Sequence, residues 1–158
     1  MIRILFVCAG NICRSPTAEG VLAKYLSNNK IEELFKVDSA GINGYHIGEA
    51  PDPRACAAAF RRGIDISGQR ARKLIPTDFE RFDLLLAMDR ENLGFMRCGS
   101  RPEYHGRLGL FTDYSPRFRG LDVPDPYYGD DEGFELVLDM AEDAATGLVE
   151  RLAGKRSG

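Results

Sequence analysis

Four apolar residues, Ile4-Leu5-Phe6-Val7, run directly into the loop Cys8-Ala9-Gly10-Asn11-Ile12-Cys13-Arg14-Ser15, after which Ser15-Pro16 opens a helix. A short apolar run ending at a glycine-containing loop reads as a buried strand. Serine is a preferred helix cap and proline suits the first helical turn. Strand, tight loop and helix in that order begin a parallel sheet with crossover helices, and few other folds can start this way.

The rest of the chain repeats the alternation. Ala18, Val21, Leu22, Tyr25 and Leu26 form one helical stripe that fades by Asn28-Asn29. Phe35 to Ser39 reads as a second strand, followed by Ala40-Gly41. Asp52-Pro53 repeats the cap-plus-proline signal, and that helix ends at Gly63. Phe82 to Met88 reads as a central strand and Arg107 to Phe111 as a fourth. Phe134, Val137, Leu138, Ala141, Ala145, Leu148, Val149 and Leu152 trace one face of a final helix with Asp130, Asp131 and Glu132 at its start. The expected class is α/β: one three-layer domain over 1–158, a four-stranded parallel sheet with helices on both faces, and an anion-binding loop after the first strand.

Composition narrows the chemistry. With 158 residues, 44% hydrophobic and 28% charged, the chain is long enough for a full core and too apolar for disorder. A net charge of −3 gives no bulk attraction to nucleic acid or to an anionic membrane surface. No apolar stretch approaches the ~20 residues that span a bilayer, so no membrane insertion is expected. The basic residues are 16 Arg against 5 Lys, a bias toward fork-like binding of oxyanions. Four scattered cysteines, Cys8, Cys13, Cys56 and Cys98, make no disulfide framework. There is no CxxC and there are only two histidines, so no metal or other cofactor is expected and the expected compartment is the reducing cytoplasm.

Two stretches match Cys, five residues, Arg: Cys8 to Arg14 and Cys56 to Arg62. The second lies inside a helix pattern, where the two side chains cannot curl around one ligand. The first sits between a strand and a helix N-terminus, which offers unpaired N–H groups and a positive dipole end. Gly10 and Asn11 tolerate the left-handed dihedrals that turn successive amides inward. Arg14 adds a guanidinium fork, and the same positive surroundings favour a thiolate at Cys8, a nucleophile at the base of a tetrahedral-anion cradle. Ser15 is expected both to cap the helix and to hydrogen-bond that thiolate. Cys13 is either a packing residue or a resolving thiol that protects Cys8 by a reversible disulfide.

The run Val7-Cys8-Ala9-Gly10-Asn11-Ile12-Cys13-Arg14-Ser15-Pro16 resembles the signature of the low-molecular-weight protein tyrosine phosphatases. Asp38-Ser39-Ala40-Gly41, Asp52-Pro53-Arg54, Ala87-Met88-Asp89 with Asn92, and Asp125-Pro126-Tyr127-Tyr128 follow in that family's order and spacing. The resemblance implies hydrolysis of phosphotyrosine in proteins through a phosphocysteine on Cys8, with Arg14 as phosphate clamp, inorganic phosphate as product and no cofactor. It implies Asp125 as general acid and later base, over its neighbours Asp122, Asp130 and Asp131. Two flanking prolines stiffen the loop that carries it. The resemblance further suggests Tyr127, and Tyr45 in a variable loop, as substrate walls, with Tyr128 beside them, and both Tyr127 and Tyr128 as phosphorylation sites. Phosphotyrosine proteins, and by analogy a tyrosine kinase, are the expected partners.

Ser39 and Asn11 are expected to share a network that holds the loop. Gln69 stands where many relatives carry His and is expected to donate to Asn11 without carrying charge. Two other readings fit the cradle: a thiol-dependent arsenate reductase, for which the stretch after Met88 supplies only Cys98, and a phosphate-binding adaptor without turnover.

Overall fold

The structure, a computed structural model, describes residues 1–156, with side chains through 153; the last two residues of the expected domain lie outside the described residues. Four strands, β1 (Ile2–Cys8), β2 (Phe35–Gly41), β3 (Leu84–Ala87) and β4 (Leu108–Leu110), form one sheet in the order β2-β1-β3-β4. Every pairing is parallel. The chain leaves β1 for β2 on one side, then crosses back to place β3 on the other. The loops after β1 and β3 therefore diverge, opening a crevice at the carboxyl ends of the strands.

Five helices cover the two faces: α1 (Arg14–Asn28), α2 (Pro53–Arg61), α3 (Asp78–Arg81), α4 (Arg90–Cys98) and α5 (Asp131–Arg156). The pleat of β1 sorts them. Ile4, Phe6 and Cys8 point into one core with α1, α2 and α5. Leu5 and Val7 point into the other with Phe79 of α3 and Met96 of α4. Both faces of β1 are covered, which is why its apolar run is continuous rather than alternating.

The elements differ from the sequence expectation in three ways. The third and fourth strands are shorter than the runs that mark them: Phe82 and Met88 are buried beyond the β3 ladder, and Arg107 and Phe111 belong to the 3₁₀ turns that flank β4. Helices α3 and α4 carry few apolar residues in short spans and gave no periodic signal. Ser15 does not cap α1. That helix begins at Arg14 with no side-chain cap, because the Ser15 hydroxyl is engaged by Cys8 and Asn11 instead. The Asp52 cap of α2 is present, its carboxylate accepting from the Arg54 N–H, and Gly63 takes φ +78° just past the helix end.

Close approach of α5 to the turn Phe111–Tyr114 depends on Gly147, where a Cβ would lie 1.8 Å from the Tyr114 carbonyl oxygen. Gly94 in α4 has open space at the same point. The same substitution is thus expected to act with opposite signs. Gly94→Ala gains ~0.5–1 kcal/mol of helix propensity. Gly147→Ala gains the same but forces a backbone displacement costing on the order of 1–3 kcal/mol, so it destabilises. Urea denaturation of the two variants checks the pair.

Candidate active site

The loop between β1 and α1 is tied down on three sides. Ile42 N–H donates to the Cys8 carbonyl at 2.9 Å and Asn43 N–H to the Ala9 carbonyl at 3.0 Å. Asp52 N–H donates to the Ile12 carbonyl at 2.8 Å. Asn11 occupies the left-handed region at φ 58° and its side chain holds the turn. Its Nδ2 donates to Ser15 Oγ at 2.8 Å and to Ser39 Oγ at 3.0 Å, while its Oδ1 accepts from the Arg72 N–H at 3.0 Å. The expected Asn11–Ser39 link is therefore present.

Two expectations about this loop are corrected. Gly10 does not take a positive φ; among Gly10 and Asn11 only Asn11 does. The glycine serves space instead, since a Cβ there would meet the His46 ring at 3.1 Å. Gln69 does not reach Asn11. Its Nε2 donates to the Pro16 carbonyl at 3.0 Å, because the Arg72 amide already occupies the Asn11 oxygen.

Cys8 is 3% exposed at the base of a cleft of about 300 Å³, and its Sγ lies 3.0 Å from Ser15 Oγ. Arg14 is equally buried and lines the same cleft. Its Nη1 donates to Asp89 Oδ2 at 2.6 Å and to the Val123 carbonyl at 3.0 Å. Burial opposes the guanidinium charge, but Cys8, Asp89 and Asp125 more than offset this, so Arg14 is held above its ordinary value. Asp89 has two tasks: its other oxygen accepts from the Asn92 N–H and caps α4. A residue quoted only as part of a motif is thus what orients the arginine.

Asp125 comes to the cleft from the far end of the chain. Its Oδ2 lies 3.8 Å from Arg14 Nη2 and its side chain is 48% exposed. Val123 N–H donates to the Met88 carbonyl at 2.8 Å, which fixes the start of this loop beside β3. The rival carboxylates are elsewhere: Asp122 pairs with Arg90, and neither Asp130 nor Asp131 lines the cleft.

The other expected residues converge as well. Ala9, Gly10, Ile12 and Cys13 line the cleft, as do Tyr45, Tyr127 and Tyr128 at its mouth. Tyr45 and Tyr128 are 85% and 93% exposed, so no core packing accounts for them. Tyr127 stands edge-on to Tyr128 with ring centroids 4.9 Å apart. Cys13 is buried, and desolvation, with Asp52, Cys8 and Asp125 adding to it, pushes its thiol well up. The second Cys-to-Arg match stays apart: Cys56 faces the Pro51 carbonyl, and Arg62 pairs with Glu135, Asp139 and Glu142. Cys98 is exposed at the end of α4, outside the cleft.

Arg54 is a residue the sequence gave no reason to single out beyond its motif. It pairs with Asp52, donates to the Tyr127 carbonyl at 2.8 Å and the Gly129 carbonyl at 3.4 Å, and lies 4.8 Å from the Phe134 ring centroid. It straps the loop bearing Asp125 to the start of α2. Arg54→Ala leaves the backbone part of the Asp52 cap intact but releases those carbonyls. Amide exchange across residues 127–130 is expected to accelerate by the equivalent of about 1–2 kcal/mol, with β1 unchanged, as hydrogen-exchange mass spectrometry would register.

Comparison with known proteins gives one answer. The family described as low molecular weight phosphotyrosine protein phosphatase matches residues 3–157. A low molecular weight protein-tyrosine-phosphatase of Bacillus subtilis is 41% identical over 153 residues, covering 97% of this chain and 95% of its own. The human low molecular weight phosphotyrosine protein phosphatase is 39% identical over 150 residues, 94% of each chain. The crystal structure of a protein tyrosine phosphatase from Entamoeba histolytica, with Hepes in its active site, superposes with a TM-score of 0.95 at 35% identity over 99% of both chains. With Cys8 and Arg14 in one loop at the base of the cleft, and with matches of this length, the chain belongs to the low molecular weight phosphotyrosine protein phosphatases, hydrolases of phosphate monoesters.

Proposed function

We propose that Cys8 attacks the phosphorus of a phosphotyrosine side chain in line and that Asp125 protonates the departing phenolate. The observation that carries this is the single cleft that gathers Cys8, Arg14 and Asp125 at different depths. Cys8 lies at its base, and Asp125 is half-exposed above Arg14. The phosphoryl group enters the loop, whose amides from Ala9 to Ser15 and the Arg14 fork hold the three non-bridging oxygens as charge shifts in the transition state. Asp89 and the Val123 carbonyl occupy Arg14 Nη1, which aims Nε and Nη2 at the anion. Ser15 gives its proton to the Cys8 sulfur and stabilises it as the leaving group of the second step. Asp125 then takes a proton from water, which displaces phosphate from Cys8.

The depth of the cleft supports an aryl substrate. Tyr45, Tyr127 and Tyr128 form apolar walls above a deep-set sulfur, and a phosphotyrosine ring is long enough to reach down between them. Residues 1–158 act as one catalytic domain on phosphotyrosine proteins, a tyrosine kinase and its targets among them. Tyr128, at 93% exposure, is open to such a kinase in turn. The four cysteines are free thiols and no described helix is long and apolar enough to cross a membrane, which supports work in the reducing cytoplasm.

Hydrolysis of para-nitrophenyl phosphate with a chelator and a reductant tests the assignment. Turnover is expected to survive chelation and Cys56→Ser and to vanish in Cys8→Ser. Asp125→Ala is expected to lower kcat by about 10²–10⁴-fold for phenyl phosphate. The loss is smaller for the nitrophenyl ester, whose leaving group needs no proton. An equal loss on both esters removes Asp125 as the acid.

Cys13 lines the cleft with Cys8, and its thiol is held protonated. We assign it the resolving role: peroxide converts Cys8 to a sulfenic acid, the Cys13 sulfur attacks that sulfur while its proton passes to the departing hydroxyl, which leaves as water, and a disulfide closes. Peroxide-treated enzyme is expected to recover with a thiol reductant, whereas Cys13→Ser is expected to remain inactive. Full recovery of the variant removes the role.

A further inference from the structure

The network around Asn11 has two ends that accept a proton, and the nucleophile is only one of them. Asn11 Oδ1 accepts from the Arg72 N–H, so the amide cannot be turned over, and both protons of Nδ2 go to serine oxygens. Each serine is therefore an acceptor toward Asn11 and must send its own proton outward. Ser15 Oγ lies 3.0 Å from Cys8 Sγ, so its proton has the sulfur within reach and is donated there when Cys8 is a thiolate. Ser39 sends its proton to Glu19 Oε1 at 2.7 Å. The result is one proton-ordered chain: Glu19, Ser39, Asn11, Ser15, Cys8.

Glu19 lies on α1, half-buried, in the wall of a second cleft that also holds Lys24, Asp65 and Gln69. Asp38 of β2 and Arg72 face it as well. Arg72 is divided between Asp38 and Asp78, and Gln69 gives its amide to the Pro16 carbonyl. Burial pushes the carboxyl up, the Ser39 hydrogen bond opposes this, Asp38 adds to the rise and Arg72 subtracts, for a value of about 7.

We propose that Glu19 is a positioning residue for the phosphate loop: its carboxylate orients the Ser39 hydroxyl and, through Asn11 and Ser15, the proton delivered to Cys8. The assignment rests on the phosphatase mechanism above. A charged acceptor makes a hydrogen bond roughly twice as strong as a neutral one. When Glu19 takes a proton it offers that proton to Ser39 Oγ, the charged acceptor is gone and the far anchor of Asn11 loosens. Activity then falls as pH drops through about 7. Stability moves the other way. A carboxyl raised from 4.5 to about 7 is protonated more readily folded than unfolded, so its stabilising contribution is full below 4.5 and lost as pH rises through about 7. A residue with a purely structural role would lose activity and stability over the same pH range.

Glu19→Gln keeps a carbonyl that can accept from Ser39 and cannot titrate. Dividing the wild-type profile of kcat/KM on para-nitrophenyl phosphate by that of the variant cancels the ionisations of substrate, Cys8 and Asp125. The ratio is expected to rise by about three- to tenfold between pH 5.5 and 8.5, with its midpoint near 7. In wild-type protein alone, the Asn11 side-chain amide resonances are expected to shift with the same midpoint, a reading that needs no variant to fold. A flat ratio, or Asn11 signals that do not move between pH 6 and 8, overturns the proposal. Wild-type protein that fails to turn over sinks the phosphatase mechanism instead, and the Asn11 titration then still decides whether the chain of protons exists.

Discussion

Everything at the site depends on a left-handed asparagine whose side chain is fully engaged. Asn11 places its amide between Ser15 on α1, Ser39 on β2 and the Arg72 backbone, three segments distant in sequence. A non-glycine residue at φ 58° is held there at a cost of order 1–3 kcal/mol, which the surrounding contacts must cover. In return its side chain ties the loop to α1, β2 and the Arg72 backbone. Gly41 allows the contact: a Cβ there would lie 3.0 Å from the Gly10 carbonyl carbon, so the end of β2 can press against the loop only as glycine.

The second constraint is electrostatic. The cleft concentrates Cys8, Arg14 and Asp125, with Asp89 paired to the arginine behind it, in a partly desolvated space where an unpaired charge would be expensive. Arg14 answers this by binding Asp89 and the Val123 carbonyl with one nitrogen. Those bonds join the end of β3 and the loop carrying Asp125 to the nucleophile loop. Arg54 makes a second tie from α2 to the same loop. The loop bearing Asp125 is thus held from two sides by arginines, each neutralised by its own aspartate, Asp89 for Arg14 and Asp52 for Arg54.

Legibility followed the range of the interaction. The β1–loop–α1 unit, the cap at Asp52 and the apolar face of α5 rest on neighbours in sequence, and each was readable from periodicity or capping chemistry. Helix α4 was not, since only Asn92 and Met96 of its nine residues are buried. The local pattern at Ser15-Pro16 says cap. The competing pull of Cys8 and Asn11 is a tertiary fact and it prevails. Resemblance alone points Gln69 at Asn11, but the Arg72 amide takes that oxygen and Gln69 turns to the Pro16 carbonyl.

By itself, the sequence determined the reaction chemistry. A cysteine separated from an arginine by five residues, between a strand and a helix, marks a phosphate cradle, because the backbone amides and the helix end supply the field locally. Tertiary structure decided which groups tune that chemistry. Asp89 reaches Arg14 across 75 residues, Arg54 reaches the Tyr127 carbonyl across 73 and Glu19 reaches Ser39 across 20, and no local pattern distinguishes them from surface charges. Only the parallel sheet, by bringing the ends of β1, β2 and β3 to one edge, places Arg14 beside Asp89 and Asn11 beside Ser39.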